Sequence, residues 1–189
     1  MTNGIRTRIY ILQVGAIAIF AFCAILLLAG GSFVHGMIHD QLTAQNIMFP
    51  AAGTAALNPT EFPDLQQYAG QPVDDGIKAA AYGNGFIGRH LEKVAGGQTY
   101  AQVSGKAQAN PTDAKLQGQV NTLFKGEMLR GTLLNAYGWW TVGTYAILAG
   151  IGLAIATGAI LFALLVEIFL AIKARETHKL TAPKKAFAS

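Results

Sequence analysis

His35 and His39 stand four residues apart in GGSFVHGMIHDQLTAQNIMFP, residues 30 to 50, with Asp40 beside the second. On a helix that spacing puts both imidazoles on one face, and neutral imidazole is a common ligand for zinc and other transition metals. A strong metal-binding helix places a glutamate directly after the first histidine and recruits a third ligand from elsewhere. Here Gly36 follows His35, and Asp40 lies about 100° round a helix from His39. His90 could join only if the segment carrying it folds back. The pair therefore reads as two polar rings at the level where a helix leaves lipid for water, and neither a metal nor another cofactor is expected.

Three further constellations invite chemistry. Gly83-Asn84-Gly85-Phe86-Ile87-Gly88 matches the dinucleotide-binding fingerprint letter for letter. That motif works only after a strand and at the start of a helix, where pyrophosphate meets free backbone N–H groups. IKAAAY, which precedes it, has helical character, so these glycines are expected where backbones approach closely or a helix is locally broken. The acids Asp74, Asp75, Glu92 and Glu127 have simpler roles: a helix start for the first two, a solvated turn among Arg89, His90 and Lys93 for the third, and a pair with Arg130 for the fourth. No serine or cysteine nucleophile comes with a nearby base, and catalysis is not expected.

The elements that must position these residues follow from composition. Of 189 residues 52% are hydrophobic and 13% charged, against roughly 25% charged in a soluble domain. The stretches 9–34 and 131–166 contain no charged residue, and about 20 apolar residues suffice to span a bilayer. The expected organisation is a short N-terminus (1–8), transmembrane helix 1 (9–34), a helical segment outside the membrane (35–138), transmembrane helix 2 with interfacial aromatics (139–167), and a basic tail (168–189). His35, His39, Trp139 and Trp140 are placed at the membrane interface, where amphipathic rings are favoured.

The formal charge of +4 is unevenly divided. Arg6 and Arg8 precede the first span without an acid, and Lys173, Arg175, Lys179, Lys184 and Lys185 follow the second against Glu167 and Glu176. Between the spans, eight acids slightly outweigh seven bases. The positive-inside bias puts both termini in the cytoplasm of a plasma membrane. The basic tail then serves topology and anionic headgroups, and no nucleic-acid partner is expected, since groove-reading or stacking residues do not accompany it. A cleavable signal peptide would have an apolar core of about 7 to 15 residues. This one is longer, so the first span is expected to stay.

Local signals outline the segment between the spans. Helical periodicity continues past Phe33 until Phe49-Pro50 stops it. Pro63 starts a short turn through Tyr68, and Asp74 or Asp75 caps a helix ended by Gly96-Gly97. Thr99 caps TYAQVSGKAQA. Asn110-Pro111-Thr112-Asp113 starts a last helix at Pro111, and nothing afterwards forces a stop before Pro183. There is no strand signal. The fold class is all-α, an integral membrane protein of two transmembrane helices extended into a small extracytoplasmic helical cap. Within the second span Ala146, Gly150, Ala154 and Gly158 put small residues at every fourth position, the pattern that lets helix backbones approach in lipid. Gly15, Ala18, Ala21 and Ala24 offer a matching side.

In HDQLTAQNIMFP, FPDLQQYAG, GFIGRHLEKVAGG, TYAQVS and LLNAYGWWTVG the chain resembles a family of uncharacterised two-span membrane proteins of actinobacteria, over most of residues 35 to 145. The resemblance implies a bacterial plasma-membrane protein and brings no catalytic residues. The expected function is non-enzymatic: an accessory subunit of a membrane complex or a homo-oligomeric scaffold acting through a protein partner or a second copy. The alternative is an extracytoplasmic ligand-binding sensor that signals through a partner.

Overall fold

A computed structural model describes the backbone of residues 3–181 and the side chains of residues 4–177; the end of the basic tail, with Lys184 and Lys185, lies outside the described residues. The described elements are helices and no strand. They are α1 (Asn3–Ala44), α2 (Gly76–Ala80) continued by a π-helical segment (Ala81–Gly88) and α3 (Arg89–Ala95), then α4 (Tyr100–Ala109) and α5 (Ala114–Thr181), with 3-10 turns at Ala55–Leu57 and Pro63–Tyr68. Two of the helices, over Gly4–Ala44 and Ala114–Thr177, are long and apolar enough to cross a membrane. The chain divides into two compact units: unit 1 comprises Met1–Ala29 with Ala146–Ser189, and unit 2 comprises Gly30–Tyr145.

In unit 2 the helix ends follow local chemistry. The Asp75 carboxylate accepts from the Lys78 N–H at 2.7 Å and opens α2. Gly96 and Gly97, at φ 59° and 76°, close α3, a backbone conformation in which only glycine is unstrained. Thr99 and Gln102 form a reciprocal capping box at the start of α4. Two boundaries differ from expectation. The end of α1 comes at Ala44 and not at Phe49-Pro50, because Asn46 takes a left-handed conformation at φ 51°, a tolerated alternative to a glycine stop. The start of α5 comes at Ala114 and not Pro111, because the Asp113 carboxylate accepts from the N–H groups of Lys115 and Leu116 at 2.9 and 3.0 Å.

The core of unit 2 is assembled from every element: Ile38 and Leu42 of α1, Phe49, Leu57, Phe62, Leu65 and Val73 of the turns, Ile87 and Leu91, Val103, and Leu123 and Leu133 of α5. Phe49 stacks on Tyr68 and meets the edge of Tyr82, with ring centroids 5.3 and 5.0 Å apart. The turn after α1 is tied back by Phe49 N–H to Gln71 O and Val73 N–H to Ile47 O, both 2.9 Å. Side chains of α5 satisfy carbonyls near two helix ends: Gln119 donates to Val94 O at 2.9 Å and Gln117 to Ala107 O at 3.2 Å. The Ala107 carbonyl also receives the Asn110 N–H at 3.3 Å, and the last carbonyls of a helix otherwise lack an intrahelical partner.

Unit 1 has a different interior. Among its described residues the buried apolar ones are Ala24 and Leu164, whereas Leu12, Phe22, Ile25, Ile155 and Phe162 are exposed. The two helix segments touch at Gly150, where a Cβ would meet Leu28 Cγ at 2.8 Å and Ala24 O at 3.1 Å.

Candidate functional site

The two histidines are the first candidates, and unit 2 engages both. The His35 ring stacks on Trp140 with centroids 3.8 Å apart and planes 2° from parallel. Its Nε2 lies 2.9 Å from Trp140 O and 3.1 Å from Thr144 Oγ1. A carbonyl oxygen can only accept, so Nε2 carries the proton and donates. The Thr144 hydroxyl donates to the same carbonyl at 3.0 Å, which leaves its oxygen free to accept. His39 Nδ1 is 2.8 Å from Asp74 O and by the same reasoning donates. One face of α1 thus ties down α5 through His35 and the start of α2 through His39. The ring nitrogens so used hold protons and have no lone pair for a metal. Trp140 is half-buried and also packs on Gly76, where any Cβ would overlap the indole. Trp139 is 51% exposed.

The glycine motif occupies the π-helical segment Ala81–Gly88, inside a helix that begins at Gly76, so no strand precedes it and no helix N-terminus is presented. Extra residues per turn are the mark of a π segment. Here the segment brings Gly83 toward Leu133 and Arg130, and Gly85 against Leu65. Asn84 Oδ1 accepts from Arg130 Nε at 3.2 Å and Nη2 at 3.0 Å. Arg130 also faces Glu127 at 3.6 Å.

These residues form one wall of a polar cleft of about 640 Å³, completed by Glu92, Gln98, Thr99 and Tyr100. Glu92 is exposed on α3, and its basic neighbours pair with acids elsewhere in the chain. Arg89 makes a two-pronged pair with Asp64 at 2.7 and 2.8 Å and lies over the Phe62 ring, while Lys93 pairs with Glu61. These choices follow from chain folding across some thirty residues and carry no local signal. The Arg89 guanidinium holds the Asp64 carboxyl below its ordinary value, and Asp64 in turn raises Arg89. Lys78 does the same for Asp74, at 2.7 Å. Burial alone pushes the Tyr82 phenol up.

A second concavity, about 330 Å³, lies between the end of α1 and α5. Met37, Ile38, Leu42, Leu133 and Ala136 line its floor, and Gln41, Gln45, Thr132, Asn135 and the half-exposed Trp139 its rim. Periodicity identifies the apolar sides of both helices but not the gap left where they meet.

The row of small residues in the second apolar helix parts into two. Gly150 is buried against α1, and Ala146 is half-buried; Ala154 and Gly158 are exposed, with nothing within 4 Å of a Cβ at Gly158. The cause is helical drift: a strict four-residue step runs about 40° ahead of each full turn. At the far end of unit 1 Gln13 Nε2 donates to Glu167 Oε1 at 3.3 Å. Among the described residues no group of three His, Cys, Asp or Glu side chains is placed to hold a metal ion.

No family model matches the chain, and no curated protein or solved structure is significantly similar to it.

Proposed function

We propose that this is a plasma-membrane protein of two spans, with both termini cytoplasmic and residues 35–138 outside, that acts without catalysis as an accessory subunit or homo-oligomeric scaffold. The membrane part is supported by large apolar side chains all round unit 1, such as Leu12 at 72% and Phe162 at 70% exposure, a surface that water would penalise and lipid would not. The contact role is carried by one observation. On α5 within unit 2, Phe124 and Met128 are 51% and 59% exposed on adjacent turns, beside Tyr100 at 6.1 Å from the Phe124 ring. Apolar groups grouped on an otherwise polar surface mark protein interaction sites. Purification in mild detergent after crosslinking tests it. A stoichiometric partner or second copy is expected, lost on Phe124→Asp with Met128→Lys, and an unchanged complex in that double variant would sink the contact role. Cysteine labelling of intact cells tests the orientation: access at Thr54 or Gly97 and none at Ser189 is expected, and the reverse pattern overturns it.

A second reading, an extracytoplasmic sensor signalling through a partner, is favoured by two concavities of unit 2 that fall within the size range of small-molecule sites.

A further inference from the structure

The groove between the end of α1 and α5 differs from two other concavities of unit 2 in one respect: no charged side chain lines it. The polar cleft has Arg89, Glu92, Glu127 and Arg130, and a third hollow has Glu61, His90 and Lys93. The floor of the groove is hydrocarbon, with the half-exposed Trp139 indole at its edge. The rest of the rim is a set of uncharged amides and one hydroxyl. The Thr132 hydroxyl is spent on Met128 O at 3.0 Å. The side-chain amides of Gln41, Gln45 and Asn135 make no hydrogen bond within the described chain, although other glutamines of unit 2, such as Gln66, Gln117 and Gln119, bond to backbone carbonyls. Three exposed amides without a partner in the described chain thus border an apolar groove, each able to donate and to accept.

We propose that this groove binds an uncharged, lipid-soluble molecule whose polar end carries hydrogen-bond-accepting oxygen, such as a ring carbonyl. Three observations select that class. Lack of charge in the lining disfavours ions and zwitterions, because a charge moved out of water there would meet no counter-charge. A volume of about 330 Å³, roughly eleven water-sized volumes of about 30 Å³, suits a bicyclic ring or a short isoprenoid better than one inserted side chain. The amides on the rim can donate to an oxygen at the mouth while the ring lies against Trp139 and Leu133. A mostly apolar cavity between helices with a few convergent polar groups is the usual form of a small-molecule site. The inference rests on the sensor reading only in supposing that a ligand exists; a groove that binds while no partner responds would keep the inference and discard the sensor.

The test uses the full chain in nanodiscs with menadione as the carbonyl-bearing probe, naphthalene as its hydrocarbon counterpart and menadione sulfonate as its charged one. A quinone against Trp139 quenches indole fluorescence, so saturable quenching by menadione is expected, on top of the linear quenching due to partition into lipid. Trp139→Phe should remove the saturable part. Gln41→Leu with Asn135→Leu, both at exposed positions, should weaken menadione binding by about five- to tenfold, as one or two lost hydrogen bonds would, and leave naphthalene binding, measured by competition, unchanged. The sulfonate should not saturate. Absence of saturable quenching, equal binding of the sulfonate, or a double variant that loses menadione and naphthalene alike would each overturn the proposal. So would a crosslink from a cysteine at Thr132 to a co-purifying chain in protein that binds no probe.

Discussion

Unit 1 and unit 2 share the same two long helices and are held together by different physics. In unit 2 buried residues from every helix and from the turns between them exclude water, and polar groups around that core are paired: His35 with Trp140 O, Gln119 with Val94 O, Asn84 with Arg130. Hydrophobic burial supplies the drive and hydrogen bonds select the arrangement. In unit 1 only Ala24 and Leu164 are buried among the described apolar residues, and the helices meet at a close approach at Gly150 and at the Gln13–Glu167 hydrogen bond. There the apolar side chains face outward, so the helices satisfy their surroundings one by one, and packing adds van der Waals contact on top. The same kind of substitution should therefore cost much in one unit and little in the other.

The comparison breaks most visibly at Gly76. Trp140 leaves no room for a side chain there, and Gly76→Leu should destabilise unit 2 by about 3 kcal/mol, the upper range for overpacking. Gly118→Leu, with open space around it, should be neutral or mildly stabilising. Limited proteolysis of the segment between α1 and α5 reads both, and equal resistance in the two variants would show that the Gly76 contact has no structural weight.

Replacing His35 and His39 with glutamine removes the stack on Trp140 and two tethers. A loss of about 1 kcal/mol for each hydrogen bond is expected, with unchanged metal content of the purified protein. Stoichiometric metal that disappears in the double variant would instead make the pair a ligand site.

In unit 1 the expected effects are smaller and position-specific. Gly150→Ile should separate the helices and lower the yield of crosslinks between cysteines placed at Gln13 and Glu167, whose side chains meet at 3.3 Å, because Leu28 and the Ala24 carbonyl occupy that space. Gly158→Ile should leave crosslinking unchanged, since that position is open. If Gly158→Ile disrupts an oligomer while crosslinks within the chain persist, the outward half of the small-residue row belongs to a second copy. Equal tolerance at both glycines would remove the packing role altogether.

The smallest expected effect is acid sensitivity of unit 2. Asp64 and Asp74 have folded values below their ordinary 3.8, so the unfolded state binds protons first as pH falls. Their contribution is present above about pH 4 and is lost as pH drops through the lowered values. Both pairs are partly exposed, which limits the loss to about a few tenths of a kcal/mol each. Asp64→Asn should flatten that part of the stability profile measured between pH 5 and 2, and an unchanged profile would show the Arg89 pair to be without weight.

What residue order alone decided here is what chemistry within four residues can decide. Thr99 and Gln102 cap α4, Asp75 caps α2, Gly96 and Gly97 end α3, and the two uncharged apolar runs become helices, because each requires only neighbours along the chain. Even there, competing local signals misplace a boundary, as Asp113 did by capping α5 in preference to the Asn110-Pro111 pair. Which glycine of a row touches another helix, which carbonyl receives His35, why Arg89 takes Asp64 and leaves Glu92 to the cleft, and that a groove remains beside Trp139 were decided only by tertiary structure. These depend on the phase between two helices and on partners tens of residues apart, where a shift of 100° per residue turns a contact into open space.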